Sequence, residues 1–147
     1  SSPLSRAYET ACIIRGDRNI EIIKDDRLRE VNFGINEGKC SLELKKDKNS
    51  PIYKFFEDPG NYQPPEGGES LHDVCKRTKE FMEEIIEPQK DKLSNVLIAG
   101  HGAMNKGIMC HVLNHPIKEY WSGGLQKNCG IIIVKLDENG YEKIGEI

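Results

Sequence analysis

The segment VLIAGHGAMNKG, residues 96–107, contains a histidine at the point where a buried strand is expected to turn into a helix. The apolar run 95–100 is typical of a strand covered on both faces. Ligands bind at the carboxyl ends of strands in open α/β sheets, and a helix N-terminus there attracts anions. His101 is therefore a candidate for hydrogen bonding to a phosphate oxygen. The alternative is a polar turn residue that caps the helix.

Two charged residues could act with such a histidine. Arg6 lies in the first turn of a predicted helix, and a guanidinium group pairs with phosphate oxygens two at a time. Glu30 precedes an aperiodic, glycine-containing loop, and a carboxyl group beside a phosphate can act as a general acid or base. Each residue taken alone is more simply explained as part of a solvated surface.

Helical spacing of apolar residues defines the elements that would position these groups. A helix over 3–15 is predicted, with Ser2 as N-cap and Gly16 at its end. The most distinct helix starts at Ser70, where Asp73 completes a capping-box pattern, and continues to Pro88. Further helical signals, the first of them weak and charged, cover 39–58 and 103–113.

Strand signals alternate with these helices. They cover 20–23, 95–100 and 129–137, and a turn at 137–140 leads into a hairpin edge formed by 141–147. Strands alternating with helices predict an α/β domain with a mostly parallel sheet. The absence of a repeat or linker predicts one domain over residues 1–147.

Composition narrows the class of partner. The net charge of −3, with both signs interspersed, gives no footprint for nucleic acid, and no apolar run is long enough to span a bilayer. The five cysteines are widely spaced, which argues against a disulfide framework or a structural zinc site and predicts reduced thiols in a cytoplasmic protein. No cluster of His, Asp or Glu has the spacing of metal ligands.

The remaining polar residues of note are expected to have structural roles. Glu69 is expected to help a helix begin, and His72, His111 and His115 are expected to be structural or surface residues.

Four segments together resemble the histidine phosphatase superfamily, in its phosphoglycerate mutase-like branch. They occur in that family's order, and the resemblance extends from residue 1 to about residue 136; the segments are SSPLSRAYETA, LREVNFGINEG, GGESLHDVCKRTKEFM and VLIAGHGAMNKGIM. The resemblance implies a three-layer α/β sandwich. It also implies that Arg6, His101 and Gly102 bind the phosphoryl group and that Glu30 donates a proton to the leaving group. The implied reaction proceeds through a phosphohistidine, with no metal and no cofactor.

One part of the family pattern is not found in this sequence. The resemblance places an Arg-His-Gly motif, whose histidine is the nucleophile, ahead of SSPLSRA, and the 147 residues contain no Arg-His-Gly. We therefore expect a family member that lacks its first strand, phosphate loop and helix, about 30 residues or more. Such a chain is expected to be inactive alone, and either poorly stable or paired as a homodimer.

The resemblance leaves the substrate open. The short stretch between Glu30 and His101 favours a small phosphatase acting on small phosphorylated metabolites over a mutase. Aromatic residues in this stretch could line a substrate pocket, although packing against the core is the favoured interpretation; they are Tyr53, Phe55, Phe56 and Tyr62. The alternatives are a catalytically inactive relative that binds phosphorylated metabolites and a gene remnant without a function.

Overall fold

The computed structural model describes residues 1–147, except for the side chain of Ser41. Short 3-10 turns connect the helices and strands of this described part. The elements are α1 Ser5–Arg15, α2 Ser41–Leu44, α3 Pro51–Glu57, α4 Leu71–Phe81, α5 Gly102–Leu113, β1 Ile132–Asp137 and β2 Gly140–Glu146.

Helix α1 begins later than the sequence predicts. Its N-cap is Leu4, and the prediction of Ser2 in that position is wrong. Ser2 is fully buried, and its hydroxyl oxygen accepts from the Leu4 N–H at 3.3 Å while lying beside a histidine ring further along the chain. The predicted end is confirmed, because Gly16 has φ +55° and donates its N–H to the Cys12 carbonyl.

Helix α4 confirms the capping box. The Ser70 hydroxyl accepts from the Asp73 N–H at 3.1 Å, and the Asp73 carboxylate accepts from the Ser70 N–H at 3.4 Å. The α-helix ends at Phe81, earlier than predicted, and a π-helical turn continues it over Met82–Ile86. Its buried face consists of Leu71, Val74, Thr78 and Phe81.

Helix α5 lies at the centre of the described structure and packs along α4 and against the hairpin. Most of its residues are buried, including Met104 and Lys106, which explains why its sequence lacks a polar stripe. It ends at Asn114, which adopts the left-handed conformation with φ 52°. A core cluster forms where α4, α5 and the hairpin meet; it contains Leu28, Phe81, Met82, Met104, Ile108, Met109 and Val112.

The sheet of the described structure is a two-stranded antiparallel hairpin. Strands β1 and β2 confirm the predicted hairpin and its turn, where the Asp137 carboxylate accepts from the Asn139 N–H at 2.8 Å. The mostly parallel sheet is not found within residues 1–147, because 20–23 and 95–100 do not form a ladder. Backbone bonds from Ser2 to Ala99 and from Asp25 to Ser1 do bring these two segments beside the start of the chain.

The weak helical signal over 39–58 corresponds to α2 and α3. Ser50 caps α3 through the Ile52 N–H at 3.2 Å, with Pro51 in the first turn. The fully buried ring of Phe55 forms edge contacts with four other rings, so packing against the core is confirmed for this residue; they belong to Phe33, Phe56, Tyr62 and Trp121.

Large apolar side chains are exposed along the extended segments. Ile23 is 69% exposed and Leu97 is 56% exposed, and Ile20, Val96 and Ile131 add to this surface. None of the described helices combines the length and apolarity needed to cross a bilayer.

Candidate functional site

His101 stands at the junction between the extended segment 95–100 and α5. It is the N-cap of α5, and its carbonyl accepts from the Asn105 N–H at 2.8 Å. Its side chain does not cap the helix, contrary to the alternative interpretation from the sequence. Instead, Nε2 lies 2.8 Å from the Ser2 hydroxyl oxygen, and both residues are buried.

Two glycines allow this turn to be tight. A Cβ on Gly100 would overlap the Met104 side chain, and one on Gly102 would lie 3.0 Å from Leu125 Cδ1. The close approach of the turn to its surroundings therefore favours residues without a side chain at both positions.

The Glu30 carboxylate caps α5 from a distant part of the chain. It accepts from the N–H groups of Met104 at 2.8 Å and Ala103 at 3.3 Å, and from the Val31 N–H at 3.0 Å. The first turn of a helix has no intrahelical acceptors for its N–H groups and carries the positive end of the helix dipole, and a carboxylate satisfies both conditions. This links the LRE loop to the helix that begins beside His101.

Arg6 and Arg77 place positive charge near His101. Burial lowers the pKa of His101 below its ordinary value of 6.5. Arg6 and Arg77 also lower this pKa, and the charge of Glu30 opposes them. His101 is therefore neutral at neutral pH and is able to accept or donate a hydrogen bond at either ring nitrogen.

The two arginines differ in how they are held. Arg77 forms a two-pronged ion pair with Glu69, at 2.6 and 2.9 Å, and also donates to the Arg27 carbonyl. Arg6 lies in the first turn of α1 and is exposed, and none of the described residues accepts from its guanidinium group. Arg6 is thus the cation of this group that is free to meet an anion from solvent.

Tyr120 also holds the first turn of α5 in place. The buried hydroxyl of Tyr120 donates to the Ala103 carbonyl at 2.8 Å, and burial raises the pKa of Tyr120 well above its ordinary value. Across the described residues, no three His, Cys, Asp or Glu side chains are grouped so that they could hold a metal ion.

Comparison with known protein families identifies the relatives of this chain. Residues 1–144 match the family model described as histidine phosphatase superfamily (branch 1). The chain belongs to the histidine phosphatase superfamily. The resemblance drawn from the four sequence segments is thereby confirmed.

Individual members of the superfamily give the same relationship. The chain is 30% identical over 138 residues to phosphoserine phosphatase 1 of Hydrogenobacter thermophilus, covering 94% of the chain and 64% of that protein. It superimposes on YhfR of Bacillus stearothermophilus with a TM-score of 0.83 and 32% identity, covering 97% of the chain and 69% of that structure. A mycobacterial glucosyl-3-phosphoglycerate phosphatase shares the fold at a TM-score of 0.78 and 24% identity, covering 97% of the chain and 72% of that structure.

The chain spans slightly less than two thirds of the length of the two phosphoserine phosphatase relatives, 64% and 65%. These comparisons support an α/β phosphoglycerate mutase-like fold.

The structure places all four predicted site residues around the start of α5. Glu30 accepts from the first turn of this helix, His101 and Gly102 begin it, and Arg6 is close enough to influence the pKa of His101. Glu69 does not cap α4 but pairs with Arg77, so the prediction of its role at the helix start is wrong. Of the remaining histidines, His72 is exposed and His111 lies 3.2 Å from the Glu87 carboxylate.

Sequence reasoning missed two members of the site. Ser2 carried a signal for a helix cap, and only the fold shows that its hydroxyl faces the ring of His101. Arg77 lies within the periodic sequence of α4, and its pairing with Glu69 spans eight residues, which is more than any local helical spacing. The sequence around these residues therefore gives no local signal for the Ser2–His101 contact or for the Glu69–Arg77 pair.

We predict that Glu30→Ala destabilises the chain by about 1–3 kcal/mol, because it leaves the N–H groups of Ala103 and Met104 without their acceptor. Glu30→Gln retains one oxygen and should cost less. Chemical denaturation measures both, with Glu9→Ala, an exposed position of α1, as the matched control. Equal stability of Glu30→Ala and Glu9→Ala would show that the carboxylate does not hold α5.

We predict that His101 makes the stability depend on pH. Below pH 6.5 the unfolded chain takes up a proton at this residue, whereas the folded chain does so only at its lower pKa. The free energy of unfolding therefore falls as the pH drops from 6.5 toward the folded pKa, and His101 adds no pH dependence above that window.

The variant His101→Gln retains a hydrogen-bonding partner for Ser2 but cannot titrate, so it should lose this part of the pH dependence. His72→Gln, at an exposed position of α4, should retain it. Denaturation curves between about pH 5 and about pH 8 distinguish the variants. The same pH profile for wild type and His101→Gln would contradict a buried neutral imidazole.

Proposed function

We propose that this chain forms the phosphate-binding part of a phosphatase that hydrolyses phosphomonoesters of small molecules. The observation that carries the proposal is the convergence of Arg6, Glu30 and His101 on the N-terminus of α5. Arg6 is a cation free of protein partners, and together with a neutral imidazole it suits an anionic ester. The carboxyl group suits the departure of that ester's leaving group. The names of the relatives support the same class, because they include phosphoserine and glucosyl-3-phosphoglycerate phosphatases.

Each residue has a distinct proposed role. Arg6 pairs its guanidinium fork with two oxygens of the phosphoryl group. His101 and the N–H of Gly102 hydrogen-bond to the phosphoryl oxygens, and Ser2 keeps the imidazole in its orientation. Glu30 donates a proton to the oxygen of the leaving group, as the resemblance implies.

The finer mechanism is part of the proposal. The reaction forms a phosphohistidine on a histidine of an Arg-His-Gly segment, which is not among these 147 residues, and water then hydrolyses it. Neither a metal nor a cofactor has a role in it. The complete site would belong to a single domain with the three-layer α/β arrangement of the family, in which 20–23 and 95–100 are strands of a mostly parallel sheet.

A small phosphorylated metabolite is the proposed partner. Phosphoserine phosphatase 1 and glucosyl-3-phosphoglycerate phosphatase are both named for small phosphorylated substrates. The segment between Glu30 and His101 adds only the short helices α2 and α3, and its central ring, Phe55, is buried in the core. Polar discrimination between substrates must then come from exposed residues around the site.

A second candidate function rests on the same residues. Arg6, Glu30 and His101 are also suited to binding a phosphorylated metabolite without converting it. Both candidates require the same anion site, and they differ only in turnover.

We expect the protein isolated from its own cells to hydrolyse an aryl phosphate, and Glu30→Gln to slow the reaction by about a hundredfold or more. Calorimetry with orthovanadate, a phosphate analogue, should show binding to the 147-residue chain that Arg6→Ala weakens about tenfold or more. Arg18→Ala, an exposed arginine beyond α1, is the matched control and should bind as wild type does.

The two measurements separate the candidates. Turnover together with Arg6-dependent binding supports the phosphatase, and Arg6-dependent binding without turnover supports the binding relative. Turnover that is unchanged in Glu30→Gln would remove Glu30 from the mechanism. Absence of both turnover and binding would overturn both candidates.

A further inference from the structure

Helices α4 and α5 approach each other unusually closely at Gly107. A Cβ at this position would lie 2.8 Å from Thr78 Oγ1 and 3.1 Å from Val74 Cγ1, distances at which the neighbours would have to move. The glycine therefore allows the two backbones to come together at this point.

This close crossing brings two cysteines near each other. Cys75 follows Val74 on α4, and Cys110 lies one turn after Gly107 on α5. Cys110 belongs to the core cluster around Phe55 and Tyr120, Cys75 packs against that cluster, and the two thiols are near enough for each to shift the pKa of the other. A disulfide requires two Cα atoms to approach closely, which the glycine contact between the helices favours.

A cavity gives small molecules a route to these thiols. Its volume is about 250 Å³, and both cysteines line it. The remaining wall is partly polar and partly apolar; it consists of Lys79, His111, Asn114, His115, Pro116 and Ile117.

We propose that Cys75 and Cys110 form an oxidisable dithiol, which a low-molecular-weight disulfide entering this cavity converts into an intrachain disulfide that ties α4 to α5.

The reaction consists of two thiol–disulfide exchanges. The Cys110 thiolate attacks one sulfur of the small disulfide, the S–S bond of that molecule breaks, and a small thiolate leaves and takes up a proton. Cys75 then loses its proton and attacks the Cys110 sulfur, which releases the second small thiol. The two protein thiols lose two protons and two electrons in total, and the small disulfide gains them.

The environment of the pair favours this order of attack. The neighbouring Cys75 thiol lowers the pKa of the Cys110 thiol, and the nearby Lys106 lowers it further. The interaction with Cys110 and partial burial raise the pKa of Cys75. The thiolate therefore forms first on Cys110, and Cys75 is placed to resolve the mixed disulfide.

The other cysteines are not placed for such a reaction. Cys40 and Cys129 are exposed, and Cys12 lies on α1, away from the helix crossing. Reaction with a small disulfide should leave these three residues carrying mixed disulfides.

The test treats the chain with excess 2-hydroxyethyl disulfide and maps its peptides without reduction. In the wild type, we expect a cross-linked pair of peptides that contain Cys75 and Cys110, which requires no substitution and so no assumption about folding. A chain with Cys12→Ser, Cys40→Ser and Cys129→Ser should lose two hydrogen atoms in intact mass and gain no adduct. Its Tm should rise on oxidation, because the bond closes a loop between residues 75 and 110, and dithiothreitol should reverse the change.

Adding Cys75→Ala to that three-serine background gives the matched control. This variant should stop at one mercaptoethanol adduct on Cys110, with no rise in Tm. Three results would each overturn the proposal. They are stable adducts on both Cys75 and Cys110 in a chain that contains both cysteines, a cross-link to a different cysteine, and unmodified Cys75 and Cys110 under conditions in which Cys40 and Cys129 react.

Discussion

The site depends on the contact between the Glu30 carboxylate and the first turn of α5. His101 is the N-cap of this helix but directs its side chain to Ser2, so the N–H groups of Ala103 and Met104 need an acceptor from elsewhere. Glu30 provides it, and in doing so it fixes the LRE loop against the helix that carries the rest of the site. One carboxylate thus satisfies the helix terminus and holds the candidate proton donor beside the candidate phosphate ligand.

The surroundings of His101 set its charge state. The positive end of α5 and the charges of Arg6 and Arg77 lie near a buried imidazole, and burial together with these charges keeps the pKa of His101 low. Because Arg77 is paired with Glu69, the exposed guanidinium group of Arg6 is the cation that an incoming anion can meet. The low pKa of His101 lowers the free energy of unfolding at acidic pH, because the unfolded chain binds a proton there more readily than the folded chain does.

Sequence reasoning predicted what is local and missed what is distant. The capping box of Ser70 and Asp73, the hairpin turn at Asp137 and the helix beginning near residue 103 all follow from short-range patterns, and the structure contains them. The buried role of Ser2 and the Glu69–Arg77 pair depend on contacts across the fold, which no local spacing encodes. The segments 20–23 and 95–100 have the composition of strands, but a strand also needs a hydrogen-bonded neighbour, and within residues 1–147 only single backbone bonds reach them.

The most direct test of this account is a crystal structure of the chain with bound orthovanadate. The account predicts one vanadate in contact with the Arg6 guanidinium group, the His101 ring and the Gly102 N–H, with Glu30 still accepting from the Met104 N–H. A vanadate bound elsewhere, or a Glu30 carboxylate withdrawn from the first turn of α5, would contradict the claim that this helix terminus organises the site.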